Sequence, residues 1–82
     1  MSTVGVLVDV ERERGEQDVK WGVQSHDDFT WLAILGEEVG ESNQAALDIR
    51  FQGGTLAALR EELIQVAAVA VAFVEAIDRR KA

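Results

Sequence analysis

With 82 residues and 9.0 kDa, the chain has room for one domain, and at that size about two-thirds at most of the unfolded surface can be hidden. Apolar types make up 48% of it, too many for a disordered chain; there is no cysteine for a disulfide or thiolate metal site, one histidine (His26) where a zinc site would need several, and no proline to interrupt long helices. Eight basic against fifteen acidic residues leave a net charge of −7 and a pI near 4.5, which argues against non-specific nucleic-acid binding and anionic membranes but not against a polyphosphate that brings its own metal ions.

The opening MSTVGVLVDVERER has no basic region ahead of its apolar stretch, so it does not read as a secretory signal. The longest apolar run, Leu63 to Val74, contains Gln65 and falls short of the about 20 residues of a membrane span. A soluble cytoplasmic protein is expected. A first, short helix is predicted over about 4–16, with Val6, Val10 and Arg14 on one side and Gly15 at its end. Gln17 to Thr30, with KWG and QSHDD, reads as a loop in which Ser25, Asp27 or Asp28 caps the next helix. That helix, about 28–50, carries Leu32, Leu35, Val39, Ser42, Ala46 and Ile49 on one stripe at intervals of three and four. Gly53-Gly54 breaks it and Thr55 is the cap of a third helix, about 55–80. There Leu56, Leu59, Leu63, Val66, Ala70, Phe73 and Ile77 alternate steps of three and four, the seam of a bundle. Arg79, Arg80 and Lys81 suit the negative end of its dipole.

The third helix holds a second apolar stripe, Ile64, Ala67, Val71 and Val74, more than two partner helices in one chain can cover. The expected architecture is therefore all-α. A short helix precedes two long antiparallel ones, and two chains together complete a four-helix bundle by dimerisation.

Acidic residues stand where apolar ones are expected. Glu38 and Glu41 flank the stripe of the second helix three residues apart, and Glu37 adjoins them, so three negative charges fall within five positions. On the third helix Glu62 lies about 60° from the seam, and Gln65 interrupts the apolar run. An antiparallel pairing brings Glu38 and Glu41 opposite Glu62 and Gln65, an oxygen-rich set of the kind magnesium or manganese prefers. The plain alternative is a solvated acidic surface, with Arg60 paired to Glu61 or Glu62 and Arg12, Arg14 and Arg50 acting likewise elsewhere. Asp48, two turns beyond Glu41, is expected at the surface.

EEVGE at 37–41 and REEL at 60–63, with KWGVQSH upstream and VAAVAVAFVEAIDRR downstream, resemble the MazG-like proteins of the all-α nucleotide pyrophosphohydrolases, over roughly residues 8 to 79. In that family a Glu pair three apart and a Glu-x-x-Asp on the next helix bind magnesium. The resemblance thus implies Glu38, Glu41, Glu62 and position 65 as metal ligands. Here position 65 is Gln, which offers a carbonyl oxygen without the charge. It also implies that Glu37 and Glu38 act on the attacking water. The reaction would be hydrolysis of nucleoside triphosphates between the α and β phosphates, carried out by dimers or dimers of dimers. The KWG-to-His stretch would then lie near the nucleotide, with Trp21 stacking on the base, Lys20 meeting a phosphate, and Gln24 and His26 meeting sugar or base edges. Trp21 is equally readable as an anchor packed on the helices, and Trp31 as a bundle residue that also walls the pocket. The competing function is a non-enzymatic acidic helical oligomer that binds a basic partner. Gln in place of Asp at position 65 keeps that alternative open.

Overall fold

Side-chain oxygens set where the helices begin. The computed structural model describes residues 2–81, and it is helical throughout: α1 (Thr3–Trp21), α2 (Asp28–Phe51) and α3 (Leu56–Lys81). Ser2 Oγ accepts from the Gly5 amide at 3.1 Å, Asp27 Oδ1 from the Thr30 amide at 2.8 Å, and Thr55 Oγ1 from the Ala58 amide at 3.1 Å. Each satisfies a donor that the first turn of a helix leaves without a partner. The Asp27 carboxyl sits below the ordinary carboxylate range because the Thr30 backbone and side chain hydrogen-bond to it.

The first helix is longer than its sequence suggests. Gly15 lies inside α1 rather than at its end, and Gln17 to Trp21, expected in a loop, form its last turns. A mid-helix glycine costs only about 1 kcal/mol, and tertiary anchoring on α3 offsets it. Val10 and Gln17 are buried. Half-buried Arg14 hydrogen-bonds Gln17 at 3.1 Å and Asp18 at 2.9 Å on its own helix, and Glu75 of α3 at 2.9 Å. The actual break is Gly22, whose φ of 71° lies in the left-handed region that only glycine enters at little cost. Gly53, with φ 72°, does the same after α2. Gly54 follows so tightly that a Cβ would come within 2.9 Å of Asp48 Cβ, while its amide donates to the Asp48 carbonyl at 2.9 Å.

Helix α3 is the centre of the molecule. It packs against both α1 and α2, which flank it without packing on each other. Ion pairs give the directions. Asp28 of α2 meets Arg80 at 2.9 Å, so α2 is antiparallel to α3. Asp9 meets Arg60 at 2.7 Å and the Gln24 carbonyl accepts from Arg79 at 3.0 Å, so α1 runs parallel to α3. Arg79 and Arg80 thus tie neighbouring elements as well as lying at the helix end; the Lys81 side chain lies outside the described residues.

The core is small. Its buried apolar residues are Val10, Trp31, Ala68, Val69, Ala72 and Ala76. Trp31 stacks on Phe73 with 5.6 Å between ring centroids, and Ile34 and Leu35 close over them. The expected seams do not seal this chain. Leu56, Leu63, Leu32 and Val39 are 75%, 51%, 54% and 42% exposed, and Val66, Ala70 and Ile77 are only half-buried. The face of α3 turned inward is instead the one bearing Gln65, Val69, Ala72 and Ala76. Alanines allow close helix approach, and the broad Trp31 indole fills the space above them, which a stripe of leucines would not leave.

Candidate functional site

The antiparallel pairing of α2 and α3 places Glu38 and Glu41, one turn apart on α2, across from Glu62 of α3. One carboxylate oxygen from each lies within 4.8 Å of the other two. Around a magnesium ion with ligands at about 2.1 Å, adjacent oxygens stand about 3.0 Å apart and opposite ones about 4.2 Å, so three carboxylates share one such ion only where at least two of their separations are near about 3.0 Å.

The electrostatics of the trio are unfavourable without a counter-charge. The Glu38 carboxyl is pushed above its ordinary range by burial first, then by repulsion from Glu41, Glu62, Glu13 and Glu37. Glu62 is raised by burial, and further by a hydrogen bond to Glu41 and the charges of Glu41 and Glu61. Oε2 of Glu38 and Oε2 of Glu62 are buried without a hydrogen-bond partner. A buried carboxylate oxygen left so is costly, and a bound cation or proton relieves it.

A testable consequence concerns pH. For carboxyls raised in the folded state, protons bind the native chain more tightly than the unfolded one. Their favourable contribution is complete below the ordinary value of 4.5 and is lost as pH rises through the raised values of Glu38 and Glu62. In EDTA, the urea midpoint is therefore expected to fall between pH 4.5 and 7.5, and Glu38→Gln/Glu62→Gln should flatten that fall. A wild-type midpoint that is constant or rising over this range contradicts the arrangement.

Beside the trio lies a cleft of about 480 Å³ between α1 and α2, floored by α3. Glu38 and Gln65 line it, together with Lys20, Trp21 and Gln24 from the α1 side and Trp31 and Ile34 from the α2 side. Four of the residues expected near a nucleotide or metal, namely Lys20, Trp21, Gln24 and Gln65, thus share one cavity with Glu38. Trp21 is 55% exposed, with Lys20 Nζ 4.7 Å over its ring. Trp31 is 2% exposed, so it is both a core residue and a wall of the cleft. His26 lies apart from this lining. It is half-buried and meets the Trp31 ring edge-on at 5.0 Å. Glu37 is exposed on α2, outside the trio. Asp48 is half-buried rather than at the surface, accepts from Gln44 Nε2 at 2.9 Å, and rims a second hollow with Glu41 and Glu62.

Helix α1 adds residues that the sequence reading missed. Glu13 and Glu16 line the cleft with Lys20. Burial and the neighbouring Glu16 charge push the Glu13 carboxyl upward, against a hydrogen bond from Gln17 that lowers it. The signal was present as the spacing Glu13, Glu16, Lys20, one face of a continuous helix, but ending the helix near Gly15 hid it. Among the described residues no helix is long and apolar enough to cross a membrane. No family model matches this chain, and neither a curated protein nor a solved structure does.

Proposed function

We propose that this chain hydrolyses nucleoside triphosphates between the α and β phosphates, giving a nucleoside monophosphate and pyrophosphate, with magnesium or manganese as cofactor. The observation that carries the reading is the convergence of Glu38, Glu41 and Glu62, from two helices, beside a cleft of about 480 Å³ that Glu38 lines. That volume is within the usual span of small-molecule sites. The resemblance of EEVGE and REEL to the MazG-like proteins points the same way.

Glu38, Glu41 and Glu62 would hold the cation, and Gln65 would offer an amide carbonyl. When bound, the cation offsets the charge of the polyphosphate and makes a nearby water more acidic. Everything else falls to the chain's own groups. Glu38 would face the attacking water from the edge of the cleft and help to orient it. Glu37, exposed beside it, would orient the water or take its proton and release it to solvent. Trp21 stacks on the base, Lys20 meets a phosphate oxygen, and Gln24 reads a sugar or base edge. His26 supports Trp31 and acts on the nucleotide only through that ring. Catalysis rests on positioning and electrostatics, with no covalent nucleophile. Removal of non-standard or surplus deoxynucleotides is a role that such an activity fits.

The test is a panel of standard and modified ribo- and deoxynucleoside triphosphates with magnesium or manganese, assayed for pyrophosphate. Release from at least one substrate, abolished by EDTA, is the expected result. No release together with no metal-dependent nucleotide binding discards the reading in favour of an acidic partner-binding module.

Position 65 supplies its own prediction. Gln65→Asp adds a charge to the ligand set, and cation affinity rises with ligand charge. Manganese binding, followed by titration calorimetry, is expected to tighten by about tenfold. Unchanged affinity places residue 65 outside the coordination sphere.

A further inference from the structure

We propose that α1 is the moving wall of the cleft: it undocks from α3 as a unit, pivoting at Gly22 and Val23, while α2 and α3 stay packed together. The inference stands whether or not the cleft is catalytic. The two walls are attached very unequally. Trp31, Ile34 and Glu38 of α2 and Gln65, Val69 and Ala72 of α3 line the cleft from one body, because those helices share the buried cluster of Trp31, Val69, Ala72 and Ala76, with Ile34, Leu35 and Phe73 packed against it. The facing wall, Glu13, Glu16, Gln17, Lys20 and Trp21, is all α1, and α1 packs on α3 alone. Of its residues only Val10 and Gln17 are buried, while Val4, Leu7, Val8 and Val19 stay exposed. Little apolar burial therefore holds it in place.

Ion pairs do much of the remaining work. Arg60 of α3 meets Asp9 at 2.7 Å, and Glu75 of α3 meets Arg14 at 2.8 Å. The α3 partners are about half exposed, where water weakens such pairs. Docking also gathers like charges. Glu13 and Glu16 of α1 line the same cleft as Glu38 and Glu61, with one cation, Lys20, among the described lining residues. That repulsion pushes α1 outward.

The pivot is confined to two residues. The Gly22 amide closes α1 by donating to the Asp18 carbonyl at 2.8 Å, and no atom lies within 4 Å of the place a Gly22 Cβ would take. Val23 is 75% exposed. From Gln24 onward the connection is pinned to the other body: Arg79 donates to the Gln24 carbonyl at 3.0 Å, and the His26 ring meets Trp31 at 5.0 Å. Rotation at Gly22 and Val23 thus carries Lys20, Trp21, Glu13 and Glu16 out of the cleft and leaves Gln24, Trp31, Glu38 and Gln65 in place. Once released, a helix of 19 residues with Gly15 and several valines inside it is too weak to persist alone in water. Undocking therefore opens the α1 amides to exchange with solvent.

Amide hydrogen exchange of the full chain in EDTA at pH 7, read residue by residue, tests this. Residues 8–17, the middle of α1, are expected to be protected at least about tenfold less than 32–42 of α2 and 66–76 of α3. Arg60→Gln and Glu75→Gln leave the α1 sequence, and so its intrinsic exchange rates, unchanged. Each should speed exchange over 8–17 by about two- to fivefold, and the two together by about tenfold. Phe73→Leu loosens the contact with Trp31 that undocking does not break. It should speed exchange over 32–42 and 66–76 by about tenfold and leave 8–17 unchanged. If Phe73→Leu does not fold, Leu35→Val, at another residue packed on that cluster, decides. Equal protection of all three stretches, or a loss that spreads to 8–17 in the core variant, shows a single cooperative unit and overturns the proposal. Exchange over 8–17 that ignores the loss of both ion pairs overturns it as well.

Discussion

Glu38→Gln and Glu62→Gln are expected to lower pyrophosphate release by at least about 10²–10³-fold, the usual cost of removing one group that stabilises transferring charge. Metal-free stability at pH 7.5 should hold or rise in the same variants. Both carboxyls are raised by burial and by neighbouring carboxylates, so an ionised oxygen at either position is a cost to the folded chain. A neutral amide of the same size relieves that repulsion. Loss of activity with gain of stability is the signature of a site that sacrifices folding energy to hold a cation, and unfolding cannot imitate it. Pyrophosphate release and thermal midpoint, measured on the same preparations in EDTA and in magnesium, test both halves. Full activity in either variant means that the acidic trio is not the reacting centre. Glu37→Gln, at an exposed position outside the trio, should cost much less.

Trp31→Ala is expected to have the largest effect on folding. Its indole is the largest of the buried side chains in the core cluster with Val69, Ala72 and Ala76, and it stacks on Phe73 at 5.6 Å. Truncating a buried aromatic to alanine costs about 3–5 kcal/mol. A chain of this size has a total stability on the order of 4–12 kcal/mol, so Trp31→Ala should be largely unfolded at a urea concentration where the wild type is intact. Trp31→Phe should cost far less. It keeps the contact with Phe73 and removes an indole N–H that is buried without a hydrogen-bond partner. Urea titrations at one protein concentration, which holds any self-association constant, separate the three chains. A loss below about 1 kcal/mol for Trp31→Ala would show that the core lies elsewhere.

Much of the molecule can be read from local chemistry. The second and third helices begin and end close to where their caps and glycines place them, because Asp27, Thr55 and Gly53 act through hydrogen bonds and dihedral angles that involve only near neighbours. The meeting of Glu38 and Glu41 with Glu62 follows from a short turn, antiparallel helices and the rise per residue. Other features depend on groups distant in sequence. Gly15 is a helix breaker by propensity, yet α1 runs through it because Arg14 reaches Glu75 and because Val10 and Gln17 bury against α3. Glu13 enters the cleft only because of that longer helix.

Periodicity established that α2 and α3 are amphipathic, but not which neighbour each apolar stripe meets. A helix apolar on two faces offers several packings of similar burial, and steric fit chooses among them. In this chain the fit of the Trp31 indole over Ala72 and Ala76 turns the alanine face of α3 inward and leaves Leu63 and Val74 on the outside. Interactions within a few residues fix the second and third helices, the caps at Asp27 and Thr55 and the three-residue spacing of Glu38 and Glu41. Only the tertiary structure decided the length of α1, the cleft it forms with α2, and the side of α3 that stays uncovered, since these depend on the shapes of side chains brought together from across the chain.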